Sequence, residues 1–498
     1  MNSAKVKRFL EIFPGLISWG ILFFFILLSA WQPAVCAVAI IVFDFYWIIR
    51  TLYLTTLLIM AHRKLFKEKN RNWLKECQDL KPEGEWFKFY HLIIFPVYKE
   101  SPDILKASLE AIKNSYYPKE KIIVVVAFEE RNRNSRENAR ILENGFKNEF
   151  FGFLSTFHPD GLPGETPTKG ANATFAAKAA KEFLDSKKIV YANVIVSCFD
   201  ADTCVEKGYF SCLTYHFLTT PKPHQASYQP IPVYNNNIWY APSFARLVEL
   251  SASFCQLIES MRLEKFVTFS SHSMSFKTLV DIDYWPVNMI SDDSVIYWKA
   301  FLFYKGNYRV IPLYITVSMD VAYSTNFFKT IRLQYKQKRR WAWGVENFPF
   351  LVKGFLADKE IPMLTKIRRS YHLLESHVTW AIWAVIIIVM PVLPVLLGGA
   401  FFAQTSAVGY NLPRISGILF NFTLVASLIW IFLSRTTLPP RPRDVKWHKN
   451  ILMLVEWVIV PFIVLILGST PALDAQTRLL LGKYMVFETT EKKQRKTP

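Results

Sequence analysis

The sequence lacks the cysteine spacing that zinc sites and disulfide-linked small domains use. Its six cysteines are Cys36, Cys77, Cys198, Cys204, Cys212 and Cys255, and none of them forms a CxxC pair. Five of the six fall within residues 62–369, a segment that we expect in the cytoplasm, where thiols are normally reduced. We therefore expect neither a zinc site nor a disulfide framework.

Charge is nearly absent from five long apolar runs. These runs are Phe13–Trp31, Pro33–Ala61, His377–Ala403, Ile415–Ser434 and Ile451–Gly468, with Asp44, Arg50 and Glu456 as their only charged residues. About 20 apolar helical residues cross a bilayer core, so the runs predict membrane spans rather than buried core helices. Because Lys5, Lys7 and Arg8 precede the first run, a signal peptide is the alternative there. The second run follows at once, which favours a retained helical hairpin.

The net charge of +19 could indicate nucleic-acid binding in a soluble protein. Much of the basic excess, however, lies beside apolar runs, at residues 63–71 and 435–449. Such clusters mark the cytoplasmic side and attract anionic lipids, so we expect membrane lipids and no nucleic acid as partners. The basic residues of the C-terminal tail also favour a cytoplasmic position for that tail. Five spans would instead place the tail on the opposite side, so we expect four to five spans. Glu491–Pro498 is expected to be disordered.

The segment between the apolar blocks alternates strands with helices. We predict strands at His91–Val97, Lys121–Phe128 and Val190–Phe199, and helices at Pro102–Asn114 and Ala173–Phe183. This order indicates a mostly parallel α/β sheet of Rossmann type. Ligands bind at the carboxyl ends of such strands, where residues 96–100, 129–130 and 200–202 fall.

Two acidic signals lie in this segment. Asp200 and Asp202 follow a buried strand, so both side chains are expected on one side of the sheet edge. Carboxylates there suit Mg²⁺ or Mn²⁺ on a diphosphate, although a solvated turn would look the same. Asp292 and Asp293 can repel each other and raise one pKa towards that of a general base. They can equally form the first turn of a helix that Ser291 caps.

A third signal is Gln337-Lys338-Arg339-Arg340-Trp341. Gln337, Arg340 and Trp341 share one face of a helix, where Arg can bind a diphosphate and Trp can stack on a sugar. The surrounding stretch 326–355 mixes basic and aromatic residues, which is typical of a helix in the membrane interface. An ordinary surface helix is the alternative. The stretch Thr268–Met274 is expected to face the molecule that accepts the sugar.

Together the three signals resemble the D,D,D,QxxRW set of membrane-integrated family 2 glycosyltransferases, which include cellulose, chitin and hyaluronan synthases. The resemblance covers about residues 92–341 and includes Phe95–Glu100, similar to a first nucleotide-binding turn, and Thr168–Asn172, similar to the stretch before DxD. Ser291-Asp292-Asp293 resembles the T/G-E-D motif. Two departures are Lys99, where Asn is usual, and the Glu129-Glu130 pair, where an aspartate is usual.

This resemblance implies a GT-A catalytic domain on a helical membrane bundle and assigns roles by position. The implied catalytic base is Asp293; the donor-binding residues are Pro96, Tyr98, Glu100, Glu129, Lys169, Asp200 and Arg340; the acceptor-binding residues are Asp292, Gln337 and Trp341; and the metal ligand is Asp202. Mg²⁺ or Mn²⁺ is the implied cofactor.

The function expected from these residues is inverting transfer from a nucleotide sugar, with a UDP-sugar favoured, to a growing polysaccharide. A lipid acceptor is the alternative, as in ceramide glucosyltransferases, and a non-catalytic transporter or scaffold is a further one. The expected regions are an N-terminal hairpin at 1–61, a cytoplasmic GT-A domain at 62–325, interfacial helices at 326–369, transmembrane helices at 370–470 and a tail at 471–498.

Overall fold

The computed structural model describes residues 3–80, 84–399, 402 and 406–486, so the predicted disordered tail lies outside the described residues. Within these ranges eight strands form one sheet. They are β1 Tyr90–Val97, β2 Ile122–Glu129, β3 Gly152–His158, β4 Val194–Cys198, β5 Cys204–Val205, β6 Ala226–Val233, β7 Ser273–Ser275 and β8 Arg309–Ser318, in the order β3-β2-β1-β4-β7-β6-β8-β5. β1 to β4 pair in parallel, as do β6 and β8, whereas β7 and β5 pair antiparallel with their neighbours. The predicted GT-A-type α/β fold is confirmed, as a mixed sheet.

The helices cover both faces of this sheet and the two ends of the chain. Before the sheet and around it lie α1 Ser3–Trp31, α2 Pro33–Lys69, α3 Trp73–Leu80, α4 Pro102–Lys113, α5 Ser135–Phe146, α6 Lys169–Ser186, α7 Tyr209–Thr219, α8 Ser243–Ser260, α9 Phe276–Asp281 and α10 Asp292–Phe303. After it lie α11 Phe327–Ala342, α12 Asn347–Ala357, α13 Met363–Ile388, α14 Leu393–Leu397, α15 Ala407–Thr437, α16 His448–Val455, α17 Val460–Ile463 and α18 Thr470–Leu480.

Alternation along the strands builds a core on each face of the sheet. In β1, Ile93 and Phe95 belong to one buried cluster, whereas Leu92 and Ile94 belong to the other. This is the two-residue period of a strand with both faces covered. All eight residues of β2 are buried for the same reason. The polar residues that follow these strands are therefore held at a rigid sheet edge.

Four helical segments among the described residues are long and apolar enough to cross a membrane. They are Ala4–Trp31, Pro33–Lys69, Met363–Ile388 and His448–Leu480, and α15 covers the remaining predicted run. The last segment is not a regular α-helix, since it contains a 3-10 turn at Glu456–Ile459 and a π-helical stretch at Val464–Ser469. Glu456, the one charged residue in that run, is buried in an ion pair with Arg246 of α8. The pair joins the helical bundle to the catalytic part.

The third predicted run, His377–Ala403, does not form one helix. The helix begins earlier, at Met363, and ends at Ile388, before the 3-10 turn Met390–Val392 and α14. Pro391 and Pro394 explain the break, because proline lacks an amide hydrogen and disfavours helical geometry in the residue before it. The helix also crosses the expected boundary at residue 370, so the regions expected to be interfacial and transmembrane share one helix.

Candidate active site

A cleft of about 170 Å³ opens where β1, β2, β4 and β8 end, facing the first turn of α10 and one side of α11. All the residues assigned above to donor, acceptor, metal or base line it, namely Pro96, Tyr98, Glu100, Glu129, Lys169, Asp200, Asp202, Asp292, Asp293, Gln337, Arg340 and Trp341. Residues from distant parts of the chain therefore meet in one place.

Lys169 connects the first acidic signal with the second. Its Nζ lies 2.8 Å from Asp200 Oδ1 and 2.9 Å from Asp293 Oδ1. Burial alone would lower the pKa of Lys169, but Asp200 and Asp293 outweigh it and hold the pKa well above its ordinary value. The ammonium group therefore stays charged between the two carboxylates.

Gly170 allows the start of α6 to approach the start of α10 this closely. A Cβ at this position would lie 2.8 Å from the carbonyl oxygen of Pro286 and 3.0 Å from Cβ of Asp292. Real Cβ atoms do not approach a carbonyl oxygen so closely, so any side chain would push Lys169 and the Asp292 turn apart.

Asp202 is fully buried at the end of the β4 edge. Its Oδ2 accepts a hydrogen bond from the backbone amide of Asp320 at 2.7 Å, just after β8. The carboxylates of Asp200 and Asp320 line the cleft beside it. Ser270, from the stretch Thr268–Met274, lines the cleft and donates to Asp200 Oδ2 at 2.7 Å. Its hydroxyl therefore orients the Asp200 carboxylate.

The carboxylates of the cleft have the chemistry that a hard divalent cation prefers. No group of three or more His, Cys, Asp or Glu side chains within the described ranges is placed to hold a metal ion. A cation bound by Asp202 would therefore take most of its ligands from diphosphate oxygens and water, which is the usual manner of Mg²⁺. The residues present fit a metal that arrives with a nucleotide donor.

The adjacent carboxylates of Asp292 and Asp293 have different environments. Asp292 is buried, with 3% of its surface exposed, and its Oδ2 has no hydrogen-bond partner among the described residues. Burial and, secondarily, the charge of Asp293 raise the pKa of Asp292 well above its ordinary value. Asp293 is more open, with 27% of its side chain exposed, and faces Lys169. The raised pKa expected for this pair thus belongs to Asp292.

His272 lies next to this pair and stays neutral. Its Nδ1 is 3.9 Å from Asp293 Oδ1, a distance at which a charged imidazole would form an ion pair. Burial lowers the pKa of His272 to about 4 despite the nearby Asp293. The same nitrogen lies 3.1 Å from the carbonyl oxygen of Phe269, to which a neutral ring donates. His272 therefore supplies no charge near neutral pH.

The prediction that the side chain of Ser291 caps α10 is wrong. Ser291 stands at the N-cap position of α10, but its hydroxyl makes no capping hydrogen bond. The hydroxyl donates to Glu346 Oε1 at 2.8 Å. The same oxygen accepts hydrogen bonds from the backbone amides of Ile290 at 2.9 Å and Ser291 at 2.8 Å. An acceptor on a neighbouring segment thus replaces the local cap.

Glu346 ties the turn before Asp292 to the end of α11. Its second oxygen accepts the indole N–H of Trp343 at 2.9 Å. Burial raises the pKa of Glu346, and the hydrogen bonds from Ser291 oppose that rise. Sequence reasoning missed this residue because nothing near it in the chain marks it as an acceptor for a turn 55 residues away.

Trp341 is held by a buried charge pair from α11 and α8. Lys338 Nζ lies 3.5 Å from the centre of the Trp341 ring and 3.3 Å from Glu249 Oε2. Burial lowers the pKa of Lys338, while Glu249 opposes this. Phe269 packs edge-on against the same indole at 5.6 Å. The ring is thereby fixed at one wall of the cleft.

The far end of the cleft is organised around Tyr98 and Glu129. Arg131 stacks over the Tyr98 ring at 4.2 Å and its Nε lies 3.1 Å from Glu129 Oε2. Glu100 accepts the backbone amide of Tyr98 at 2.8 Å, so its carboxylate shapes the turn. Arg131 was not anticipated from the sequence.

A second, larger cavity begins where the cleft ends. Its volume is about 1430 Å³, and it lies among α2, α8, α13, α15 and the His448–Leu480 segment. The two spaces share wall residues, namely Thr268, Phe269, Ser294, Trp341 and Gly344. Trp341 thus stands at the junction between the polar cleft and a space within the helical bundle.

The family model described as glycosyl transferase family group 2 matches residues 195–468, which is more than half of the chain. A search of curated proteins found no match. Among solved structures, the mannosyltransferase PcManGT from Pyrobaculum calidifontis, in complex with GDP-Man and Mn²⁺, is similar at 14% identity and a TM-score of 0.40, covering 77% of this chain and 98% of that one. S. aureus TarS 1–349, in complex with UDP-GlcNAc, is similar at 13% identity and a TM-score of 0.38, covering 80% and 94%.

Proposed function

Because this chain belongs to family group 2 of the glycosyl transferases, we propose that it transfers a sugar from a nucleotide sugar to a growing polysaccharide at a membrane surface. The donor is expected to be a UDP-sugar. The catalytic domain faces the cytoplasm in this proposal, because basic clusters flank the apolar runs on that side.

The proposed reaction is a single displacement with inversion. Asp293 removes the proton of an acceptor hydroxyl, whose oxygen attacks the anomeric carbon. The bond from that carbon to the nucleotide diphosphate breaks, and the diphosphate leaves with the bonding electrons. In this proposal Arg340 and Lys169, which both line the cleft, neutralise its charge, as preorganised cations do in such sites. Mg²⁺ or Mn²⁺ bound through Asp202 would supply further charge stabilisation.

The remaining residues are assigned to binding. Tyr98, with Pro96 and Glu100 in its turn, and Glu129 would contact the nucleoside, while Asp200 would contact the ribose or diphosphate side. Asp292, Gln337 and Trp341 would contact the acceptor. Their shared position in one cleft supports these roles.

The observation that carries the polymer assignment is the continuity of the cleft with the large cavity at Trp341. A single small ligand usually occupies about 300–1,000 Å³, and this cavity is larger. Six further tryptophans line it, namely Trp47, Trp298, Trp380, Trp383, Trp430 and Trp457. Flat aromatic faces suit successive sugar rings, so the space fits an elongated saccharide that starts at the catalytic cleft.

One observation favours a lipid acceptor instead. Much of the cavity wall formed by the bundle helices is aliphatic, with Ile387, Val392, Leu428 and Val464 among its residues. A hydrocarbon chain would pack favourably against such a wall, because burial of apolar surface is favourable. In that case the cavity would hold the tail of a lipid whose hydroxyl reaches Asp293.

Product sizing separates the two assignments. Membranes or purified protein would be incubated with a panel of radiolabelled nucleotide sugars and Mg²⁺ or Mn²⁺, and products separated by size and by organic extraction. A ladder or a polymer is expected. A single glycolipid would overturn the polymer assignment but keep glycosyl transfer, and absence of any transfer or donor hydrolysis across the panel would contradict the proposal itself.

A further inference from the structure

His158 lies at the end of β3, beside Glu129 at the end of β2. The two residues are partners in the parallel register of these strands, so their side chains stand next to each other on one face of the sheet. Both are buried, with 4% of their surface exposed. His158 Nδ1 lies 3.5 Å from Glu129 Oε2, and the ring of Phe175 in α6 packs on the imidazole at 5.4 Å. The proposed reaction gives His158 no role.

A second carboxylate contacts the other nitrogen of the imidazole. His158 Nε2 lies 2.9 Å from Glu165 Oε2. Glu165 belongs to the loop between β3 and α6 and does not line the cleft. The loop is tied to its surroundings, since the backbone amide of Thr166 donates to the carbonyl oxygen of Val287 at 3.0 Å. Glu165 therefore holds the imidazole from a fixed position.

Two carboxylates on the two ring nitrogens favour an imidazole that donates from both. A neutral ring has one N–H, so the lone pair of its other nitrogen would face a carboxylate oxygen, whereas an imidazolium donates twice. Among the described residues, the titratable groups that contact the ring are Glu129 and Glu165. Burial alone would lower the pKa of His158, but these two carboxylates outweigh it and raise the pKa above its ordinary value. The charged form of the ring is therefore stabilised.

Glu129 is the carboxylate of this group that lines the cleft. His158 and Arg131 both contact its Oε2, the latter with Nε at 3.1 Å, which leaves Oε1 for a ligand. A carboxylate oxygen accepts from an N–H group. Uracil offers one at N3 and guanine at N1, whereas adenine and cytosine carry a lone pair at the corresponding ring nitrogen. The orientation of Glu129 therefore determines how well such a base is bound.

Resting on the proposed function, in which Glu129 contacts the nucleoside, we propose that His158 and Glu165 are positioning residues, which hold the Glu129 carboxylate in the orientation that accepts from the nucleobase of the donor. The imidazolium of His158 binds Glu129 and is itself anchored by Glu165. When the ring loses its proton, one of the two contacts becomes a repulsion between a lone pair and a carboxylate. Affinity for the nucleotide is therefore full below the pKa of His158 in the folded protein and falls as the pH rises through it.

The test measures equilibrium binding of UDP, GDP and inorganic diphosphate, with Mn²⁺, to the purified full-length protein between pH 6 and pH 8.5. Inorganic diphosphate has no base, so it reports every pH effect that acts through the phosphates alone. Relative to it, the nucleotide should bind about tenfold more weakly at the upper end of the range, as the loss of one charge-assisted hydrogen bond gives.

Two variants should change this pH profile in different ways. Glu165→Gln removes one of the two carboxylates that stabilise the imidazolium, so the decline in nucleotide affinity should move to lower pH. His158→Gln does not titrate in this range, so the decline should disappear and the affinity should stay at the weak level. In the transfer assay both changes should act on the KM for the donor rather than on kcat.

Asp160→Asn is the matched control. Asp160 is exposed in the same loop and does not line the cleft, so its loss of charge should leave the wild-type profile unchanged. If Glu165→Gln and His158→Gln both follow the wild-type profile, the positioning role is refuted while the proposed function stands. Should Glu165→Gln not accumulate, His158→Gln decides alone.

Failure of the proposed function has a different signature. A wild-type protein that binds neither UDP nor GDP, yet transfers sugar from another nucleotide sugar, would overturn this inference and leave the proposed function intact. A wild-type protein that transfers sugar from no nucleotide sugar would overturn both.

Discussion

Glu346 gives the sharpest test of how the candidate site is assembled. Its carboxylate holds the turn before Asp292 and Asp293 through the amides of Ile290 and Ser291, and it also accepts from the indole of Trp343, in the 3-10 turn that directly follows α11. In Glu346→Ala four hydrogen bonds are lost; the Ser291 hydroxyl can still donate to Asn347 Oδ1, but the two amides and the indole lose their acceptor. An unsatisfied buried donor costs about 1–3 kcal/mol, so the variant should be destabilised by about 3 kcal/mol or more.

The same change should move Asp293 relative to the acceptor. A displacement of about 1 Å in a catalytic group can cost about 100-fold in rate. We expect kcat to fall by about this factor in Glu346→Ala, with the KM for the donor changed only slightly. Glu346→Gln keeps one acceptor oxygen for the two amides and should recover much of the loss.

The assay is steady-state transfer with a labelled nucleotide sugar, corrected for the folded fraction from thermal unfolding in detergent. Glu360→Gln is the control, because Glu360 forms only a surface ion pair with Lys305 and such pairs contribute little. Wild-type kcat in the folded fraction of Glu346→Ala would show that the turn does not depend on this carboxylate, and the reasoning would be wrong.

Two further predictions concern buried charges. Because burial raises the pKa of Asp292 in the folded state, its contribution to stability is present at acidic pH and is lost as the pH rises through the folded pKa. Asp292→Asn should therefore raise Tm at pH 8, and this increase in Tm should become smaller as the pH falls. A difference in Tm between variant and wild type that does not depend on pH would contradict this. Lys338→Met leaves Glu249 buried without its cation and should cost about 3–5 kcal/mol in free energy of unfolding. Adding Glu249→Gln should restore most of the lost stability. A double variant that is no more stable than Lys338→Met alone would contradict the role of the Lys338–Glu249 pair.

The parts of the fold that the sequence predicted are those with a clear period. β1, β2 and β4 alternate or run as apolar strands, so their ends, and the polar residues that follow, could be located within a few residues. β6 was not predicted, because Pro230 and Pro232 interrupt its pattern, although the strand is fully buried. β7 is too short, at three residues, to show any period.

The motif residues of the site could be named in advance, whereas the residues that support them could not. Asp320 reaches Asp202 across 118 residues of chain, and Glu346 serves a turn 55 residues earlier. Such pairings depend on the folded arrangement and leave no local signal. Asp44 is the intermediate case, since its charge within an apolar run was visible but its partner Ser416 was not.

The most direct test of the central claim is to compare Asp293→Asn with Asp283→Asn for donor binding and for sugar transfer. Asp283 is exposed and has a backbone φ of 56°, a conformation that asparagine also adopts, so it is a matched control. The account predicts that Asp293→Asn binds the nucleotide sugar almost normally but transfers no sugar, and that Asp283→Asn does both. Near-normal transfer by Asp293→Asn would contradict the assignment of the base.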